Sequence, residues 1–474
     1  MNTDNSKTDD LSIKIRPSAR QLAFQQLEFY AFVHFTVNTF TDREWGDGTD
    51  PEACFNPVRL DVRQWAKSIQ SAGMKGAILT CKHHDGFCLW PSKYTGHTVA
   101  GSPYLEGKGD IVREFSSACR ESGLKFGIYL SPWDRNCKLY GQGRPYDDYF
   151  VNQLTELLEN YGEIFCVWFD GACGEGPGGK VQRYDWNRYY EVIRKLQPNA
   201  CINVCGPDIR WCGNEAGHTR KSEWSVVPKR TQDTEKIKEA SQTEDDKEFR
   251  ERKIRAQDED LGSRNAIRGE EELVWYPAEV NTSIRPGWFY HGAEDGQVKS
   301  LEELIHIYEN SVGGNATFLL NIPPDRNGVF HETDVRRLKE LGDYIRNAYR
   351  HNLLEDADAL ENGAGGRLSS DDLCRDDYEA SLKMNAGDSV LLKWAAPQEI
   401  ARIVLKEDIT KSQRVEEFAL YDGDDNEIYR GTVVGYKRII PLNPIHTNQI
   451  RLRLLDSRRE AYLSFIGVYG LVSS

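Results

Sequence analysis

Short apolar runs alternate with amphipathic segments up to about residue 350 of the chain. The runs that we predict as strands are 29–35, 75–80, 125–131, 163–170, 200–205, 272–280 and 316–322. Between them, apolar residues recur every three or four positions, as expected for helices that bury one face. Two of these helices are predicted to end at Gly73 and Gly123, a residue type that favours helix termination. Because the strands are apolar on both faces and separated by helices, we predict a parallel sheet.

The length of this region and the absence of one motif distinguish between two kinds of parallel sheet. A (β/α)₈-type barrel with elaborated loops suits a region of about 350 residues. The alternative is an open, doubly wound sheet. A dinucleotide-binding member of that class carries G-x-G-x-x-G after its first strand, and this chain has no such motif there. We therefore predict an α/β fold of the (β/α)₈-barrel type.

The pattern changes after Leu354. A polar, glycine-bearing stretch over 355–372 is followed by short alternating segments separated by turn residues. This spacing is typical of an antiparallel β-sandwich. We predict two domains, a barrel over 1–354 and a C-terminal sandwich over 355–474. The sandwich would support the barrel or bind carbohydrate.

Polar and aromatic side chains follow the predicted strands at the end where a barrel carries its active site. They are His34, Glu44 and Trp45 after the first strand, His83 and His84 after the second, Tyr129 in the third, Trp168 and Asp170 in the fourth and Asn203 in the fifth. Taken alone, Asp170 could cap a helix. A barrel built only for stability would not place such side chains at every strand end, so we interpret them as one functional cluster.

The pair His83-His84, next to Asp85, raises the question of a metal site. Adjacent residues of an extended segment point to opposite faces, and neither H-x-H nor H-E-x-x-H occurs. We predict no metal and no cofactor. Histidine, tyrosine, asparagine and carboxylate side chains match the hydroxyl groups of a neutral sugar, and tryptophans stack on its apolar face.

Charge and composition exclude several partner classes. The net charge of −14 argues against nucleic acid and anionic membranes, and no apolar run approaches the ~20 residues of a membrane-spanning helix. The N-terminus is polar without a visible signal peptide, so we expect a cytoplasmic protein, or a periplasmic or secreted one if a leader has been removed. The 11 cysteines are scattered singly, which predicts reduced thiols.

The segment 229–271 is dense in charge and nearly free of large apolar residues. It has two interpretations. One is a solvated loop or surface helix. The other is a lid or a wall of the binding cleft, because long loops in compact domains often carry function.

Several motifs, in order along residues 29–328, resemble the retaining α-L-fucosidase family of glycoside hydrolases. They are FVHFTVNTFTDREWGDG, KHHDGFCLWPSKYT, GLKFGIYLSPWD, VWFDGA, GNEAG, SEWSVVP, DEDLGSR, WYPAEVNTSIRPGWFYH and SVGGNATFLLNIPPDRNG. The later motifs are most similar to the branch that acts on α-1,3/1,4-linked fucose in Lewis-type glycans. The sandwich resembles discoidin-like carbohydrate-binding modules.

The resemblance implies roles for individual residues. Asp170 would be the nucleophile. The fucose pocket would be lined by His34, Glu44, Trp45, His83, His84 and Tyr129, with Trp288 as an aromatic wall and Arg285 nearby. The acid/base differs between branches of the family. The motif GNEAG points to Glu215, with Glu279 and Glu223 as alternatives.

The predicted function is therefore an exo-acting, retaining α-L-fucosidase that removes terminal α-1,3/1,4-linked fucose from branched oligosaccharides. Broad specificity that includes α-1,2 linkages remains open, as does a different sugar on the same barrel. Two further alternatives are an inactive sugar-binding protein and a metal-dependent hydrolase. The oligomeric state is not predicted.

Overall fold

Eight parallel strands form a nearly closed barrel in the N-terminal part of the chain. The structure is a computed structural model that describes residues 3–242, 244–250, 260–357, 359–362, 369 and 373–472. The strands up to the end of the barrel are β1 (Phe29–Val33), β2 (Gly76–Lys82), β3 (Lys125–Leu130), β4 (Cys166–Phe169), β5 (Cys201–Val204), β6 (Arg210–Trp211), β7 (Val226–Pro228), β8 (Leu273–Trp275), β9 (Ala278–Ser283) and β10 (Ala316–Asn321). Their order in the barrel sheet is β5-β4-β3-β2-β1-β10-β9-β6. A parallel bridge from Asn203 to Ile209 joins β5 to the residue before β6, so the predicted barrel is confirmed and the open sheet is not.

Burial explains why these runs form central strands. Every residue of β1, β2, β9 and β10 is buried. One face of each strand points into the barrel and the other meets the surrounding helices, which is why the runs are apolar without alternation.

Eleven helices occur among the described residues, most of them around the barrel. They are α1 (Thr3–Ser12), α2 (Ala19–Gln25), α3 (Val37–Thr41), α4 (Val62–Ser71), α5 (Ile111–Glu121), α6 (Arg144–Asn160), α7 (Trp186–Leu196), α8 (Thr234–Ala240), α9 (Lys247–Arg250), α10 (Leu301–Ser311) and α11 (Glu332–Ala348). Asp61 and Asp110 cap α4 and α5 by accepting a hydrogen bond from the N–H three residues on. Gly73 and Gly123 follow these helices with φ of +82° and +69°, as the predicted helix ends require.

The region 272–280 differs from its prediction as one strand. It contains two strands with different partners: β8 pairs antiparallel with β7 outside the barrel, whereas β9 belongs to the barrel. Pro277 lies between them and has no N–H to donate to a continuous ladder. The two-residue strand β6 was not predicted, because it is too short to show any periodicity.

The C-terminal part is an antiparallel β-structure with a core of its own, as predicted. Its strands are β11 (Ala359–Asn362), β12 (Leu382–Met384), β13 (Ser389–Glu407), β14 (Val415–Tyr421), β15 (Glu427–Gly431), β16 (Arg438–Ser457) and β17 (Ala461–Tyr469). The long strands β13 and β16 pair with each other, with register shifts of the kind that bend strands. Residues such as Ile403, Phe418 and Leu452 form an apolar core separate from that of the barrel.

The barrel and the sandwich meet through buried ion pairs. Glu28, just before β1, lies 3.3 Å from Lys406 Nζ and 2.9 Å from Lys437 Nζ of the sandwich. Although burial opposes it, the charges of Lys437 and Lys406 lower the pKa of Glu28 well below its usual range. The division at 354/355 and the discoidin-like character remain predictions. Much of the predicted connection 355–372 lies outside the described residues, as do 243 and 251–259 of the charged segment.

Two further sequence-based expectations concern the whole chain. None of the 11 cysteines forms a disulfide bond, and most are buried. Within the described ranges, no helix combines the length and apolar character needed to cross a membrane.

Candidate active site

A cleft opens at the carboxyl ends of the barrel strands and gathers most of the residues predicted to be functional. The predicted residues that line it are His34, Glu44, Trp45, His83, His84, Tyr129, Trp168, Asp170, Glu215 and Trp288. Since parallel strands all end at the same rim, residues far apart in the sequence meet there.

Asp170 follows β4 directly and is held by three hydrogen bonds. Its Oδ2 accepts from the Tyr129 hydroxyl at 2.9 Å, and its Oδ1 accepts from the N–H of Ala172 at 2.9 Å. Burial raises the pKa of Asp170 above its ordinary value, and the bonds from Ala172, Tyr129 and Gly171 oppose the rise. Burial therefore outweighs the three donors in setting the pKa of Asp170.

Tyr129 is fixed by stacking beneath the cleft. Its ring stacks on that of Trp168, with centroids 5.4 Å apart. The Trp168 indole in turn donates to Glu279 Oε1 at 2.7 Å. The position of the Asp170 carboxylate therefore depends on a rigid aromatic layer anchored inside the barrel.

The hydrogen-bond partners of His34 determine which of its ring nitrogens carries the proton. The Asn321 amide nitrogen donates to the Trp288 carbonyl at 2.8 Å, so its oxygen faces His34 Nδ1 at 2.8 Å. Burial lowers the pKa of His34 to about 4, so the ring is neutral near pH 7. Nδ1 is then the donor, and Nε2 is left with a lone pair.

The protonated ring nitrogen of His84 is also determined by its hydrogen-bond partner. Ser131 donates its one hydroxyl proton to the Trp133 carbonyl at 2.7 Å, and so accepts from His84 Nδ1 at 2.7 Å. Burial lowers the pKa of His84 to about 3. Its unprotonated Nε2 lies 3.7 Å from Asp170 Oδ2. The His84 ring and the Asp170 carboxylate therefore both present hydrogen-bond acceptors to the cleft.

His83 completes the group of three histidines. Burial first, and then His84 and His34, lower its pKa well below the ordinary value. Its Nδ1 has no hydrogen-bond partner among the described residues. The group is therefore uncharged and rich in hydrogen-bond acceptors.

Glu44 connects the loop after β1 to the loop that carries Trp288. Its carboxylate accepts from the backbone N–H groups of Trp288 and Phe289 at 2.9 and 3.0 Å. It also meets His291 Nε2 at 2.8 Å. Hydrogen bonding to Glu44 raises the pKa of His291 to about 9, so this histidine is positively charged near pH 7. Although burial opposes it, the bonds from His291 and the two N–H groups lower the pKa of Glu44.

Glu215 lies in the loop after β6, opposite Trp288. The Trp288 indole donates to its Oε2 at 3.1 Å. Burial raises the pKa of Glu215 to about 7; this hydrogen bond opposes the rise, and the charge of Asp170 adds to it. The cleft therefore contains a carboxylic acid that can hold its proton near neutral pH.

The other two acid/base candidates lie outside the cleft lining. Glu279 is enclosed in the barrel, where Tyr30, Trp168 and Asn203 donate to it. Glu223 is buried, and Arg210 and Arg220 outweigh that burial and lower its pKa. A carboxylate stabilised by two guanidinium groups is a poor proton donor.

Arg285 was predicted to lie near the fucose. Its guanidinium donates to Asp334 at 2.9 Å and to Asp295 at 2.9 Å. It lines an adjoining cavity that shares Glu215 and Trp288 with the cleft.

The charged segment supplies one wall of the cleft, which supports the second interpretation of it. Ser241, Gln242 and Phe249 line the cleft, and Phe249 stacks on Trp211 with centroids 6.1 Å apart. A Cβ atom at Gly171 would lie 2.0 Å from Ser241 Oγ, so the glycine after Asp170 allows this wall to approach. Sequence reasoning missed these residues because a polar run carries no periodic signal.

Three other residues of the site were also missed. Asn281 lies in β9, directly after the strand predicted over 272–280, Asn321 lies at the end of β10, and His291 lies in the Trp288 loop. Extending the strand-end argument to the last two barrel strands would have identified both asparagines. Within the described part of the chain, no three His, Cys, Asp or Glu side chains are grouped as metal ligands.

Comparison with known proteins gives consistent matches. The family model described as alpha-L-fucosidase matches residues 18–349. Alpha-L-fucosidase 1 of Arabidopsis thaliana is 36% identical over 467 residues, 96% of this chain and 87% of that protein. Among solved structures, a glycoside hydrolase 29 family member from an unknown rumen bacterium is 37% identical with a TM-score of 0.80, covering 97% of this chain and 78% of that one. A Ruminococcus gnavus glycoside hydrolase 29 fucosidase in complex with fucose is 28% identical with a TM-score of 0.81, covering 97% and 96%.

Proposed function

The chain belongs to the alpha-L-fucosidase family, glycoside hydrolase family 29, and as an α-L-fucosidase it is a retaining glycosidase; we propose that it releases terminal α-1,3- or α-1,4-linked fucose from branched, Lewis-type oligosaccharides. The family follows from the matches across most of the chain. The linkage rests on the resemblance of the GNEAG loop to one branch of the family.

The proposed reaction has two steps, each using the same two carboxyl groups. In the first, Asp170 attacks the anomeric carbon and forms a covalent fucosyl-enzyme. Glu215 gives its proton to the glycosidic oxygen as the bond to the leaving sugar breaks. In the second, Glu215 takes a proton from water, the water attacks the anomeric carbon, and the bond to Asp170 breaks to release fucose.

The observation that carries this proposal is the pairing of two unequal carboxyl groups in one cleft. Burial raises the pKa of Glu215 to about 7, and the charge of Asp170 adds to the rise. Three hydrogen bonds oppose the burial that raises the pKa of Asp170 and so favour its ionised form. Such a separation of roles is what retaining glycosidases require of their acid and their nucleophile.

The same cleft suits fucose as the glycon. His34 and His84 present lone pairs to accept hydrogen bonds from sugar hydroxyls. Phe32 and Trp288 also line the cleft, and their rings can contact the methyl group that fucose carries in place of a hydroxymethyl. Galactose would bury its additional hydroxyl without a partner, which costs binding energy.

Replacement of Asp170 by glycine tests the mechanism. Turnover should fall by more than about 10³-fold, and azide should restore part of it by giving a fucosyl azide. The exposed Glu175 in the following loop provides a matched control, and Glu175→Gln should keep full activity. Near-normal turnover of Asp170→Gly would exclude Asp170 as the nucleophile.

The choice of substrate tests the linkage. Incubation with a Lewis trisaccharide and with 2′-fucosyllactose should release fucose from the first only. Equal release from both would indicate the broad-specificity alternative. Faster hydrolysis of nitrophenyl-galactoside than of nitrophenyl-fucoside would contradict fucose as the preferred glycon.

A further inference from the structure

Residues 221–228, which we call the wedge segment, lie between the barrel and the sandwich. Trp224 and Val227 pack with Tyr276 of the barrel side and Val433 of the sandwich. Val226 belongs to a second cluster that also draws on both domains. Residues 223–228 of the wedge segment are therefore buried by the two domains together.

The backbone of the wedge segment is held by side chains of the sandwich. Gln413 Oε1 accepts from the N–H of Ser225 at 2.8 Å, and Gln413 Nε2 donates to the Glu223 carbonyl at 3.3 Å. Thr432 accepts from the Ser222 hydroxyl at 2.8 Å. The C-terminal domain thus holds the wedge segment at three points, and Asn315 of the barrel also donates to the Glu223 carbonyl at 2.8 Å.

The side chain of Glu223 points away from the sandwich and contacts the residues at the base of the loop that carries Glu215. It accepts from the Arg220 N–H at 3.1 Å and pairs with the Arg210 guanidinium. Arg220 in turn donates to the Cys212 carbonyl at 3.0 Å. Both ends of the loop 213–219 are therefore tied to Glu223.

The loop itself is rigid between these ends. Asn214 Oδ1 accepts from the N–H groups of Ala216 and His218, each at 3.1 Å. Its Nδ2 donates to the His218 carbonyl at 2.8 Å. A displacement at the base of this loop would therefore move Glu215 as part of one unit.

We propose that Gln413 of the β-sandwich is a positioning residue for the acid/base, acting through Glu223 on the loop that carries Glu215. This inference rests on the proposed role of Glu215. In this proposal the sandwich contributes to proton transfer, in addition to supporting the barrel, although it does not contact the substrate.

The test compares leaving groups in the Gln413→Leu variant. A poor leaving group, the sugar of a Lewis trisaccharide, needs full protonation, whereas fluoride in α-L-fucosyl fluoride needs little help from a carboxylic acid. We expect kcat/KM for the trisaccharide to fall by about 10-fold or more, because acid catalysis contributes about 10²–10⁴-fold and depends on geometry. The value of kcat/KM for the fluoride, which reports only the first step, should stay within about twofold of the parent value by the same reasoning, which also shows that the variant is folded.

Controls separate this effect from general damage. Gln398→Leu changes a sandwich glutamine whose amide donates to the carbonyl of Ala396, away from the wedge segment, and should leave both substrates unaffected. Thr432→Val removes the bond to Ser222 and decides the question if Gln413→Leu does not fold. An equal loss for both substrates, or no loss for either, would overturn the inference.

Glu215→Gln distinguishes the inference from the function on which it rests. That variant should lose kcat/KM for the trisaccharide while retaining most of kcat/KM for the fluoride, because kcat/KM reports only the first step and fluoride leaves without acid help. If it does not, the acid role of Glu215 is wrong. If it does and Gln413→Leu does not, only the role of Gln413 is wrong.

Discussion

Replacing Trp288 with phenylalanine should shift the pH dependence of the enzyme toward alkaline pH. The indole N–H donates to Glu215 Oε2 at 3.1 Å and favours the ionised carboxylate. Phenylalanine keeps most of the aromatic wall, so the burial that raises the pKa of Glu215 is retained. The lost hydrogen bond is then the main change at the carboxyl group.

The size of the shift follows from the energy of that bond. A hydrogen bond to a charged group contributes about 1.5–3 kcal/mol. We take the lower end because Glu215 is half-buried and water can replace part of the bond. One pKa unit corresponds to 1.36 kcal/mol. The pKa of Glu215 should therefore rise by about one unit, from about 7 to about 8.

The assay is kcat/KM against pH with nitrophenyl-fucoside. Glu215 must be protonated to act as an acid, so its pKa sets the alkaline limb of the profile, which reports the free enzyme. The limb should move to higher pH even if the maximal rate falls. An alkaline limb that stays in place or moves toward acid pH would refute either the acid role of Glu215 or the effect of this hydrogen bond.

Trp211→Phe is a matched control for this experiment. The Trp211 indole lines the same cleft and also makes a bond of 3.1 Å, but its acceptor is the amide oxygen of Asn281. An amide does not titrate in this pH range. The Trp211 variant should therefore lose activity without moving the alkaline limb.

Three other variants have effects whose signs follow from the structure. Tyr129→Phe removes a donor that lowers the pKa of Asp170, so the acid limb of the profile should move to higher pH. Asn321→Asp places a carboxylate beside His34 and should raise the pKa of this histidine from about 4, with loss of activity at acid pH as Nε2 becomes a donor. Glu28→Gln should lower the free energy of unfolding by about 2 kcal/mol, because Lys437 loses its carboxylate partner while Lys406 keeps its pair with Asp376. Since the folded pKa of Glu28 is lowered, this difference, measured in urea, should be present above the unfolded pKa of about 4 and shrink as pH falls below it.

Much of the cleft could be predicted from the strands that place it. The apolar runs before His34, His83 and Asp170 are long enough to be recognised, and the barrel geometry then requires their ends to meet. Local pattern was enough to find the strand-end residues and to separate the sandwich from the barrel. Glu215, Trp288 and the roles of the individual residues were instead implied by the family resemblance.

The remaining features depend on contacts between distant parts of the chain. Arg285 was predicted to lie near the fucose, but its guanidinium is held by Asp295 and Asp334, and no sequence pattern links these carboxylates to it. Ser241, Gln242 and Phe249 form a wall of the cleft. Ser241 can approach because Gly171 has no side chain, and no periodic pattern in the sequence reveals this contact. The hydrogen bond from Gln413 to the Glu223 carbonyl likewise joins distant parts of the chain and has no signal in the sequence.

In the proposed mechanism, the three neutral histidines separate recognition of the sugar from proton transfer. Burial lowers the pKa of His34 to about 4 and of His84 to about 3, and that of His83 well below its ordinary value. Between mildly acidic and neutral surroundings these rings keep one protonation state. The carboxyl groups alone then respond to acidity over that interval. A change in pH over that interval would therefore alter the rate at which fucose is released but not the choice of sugar.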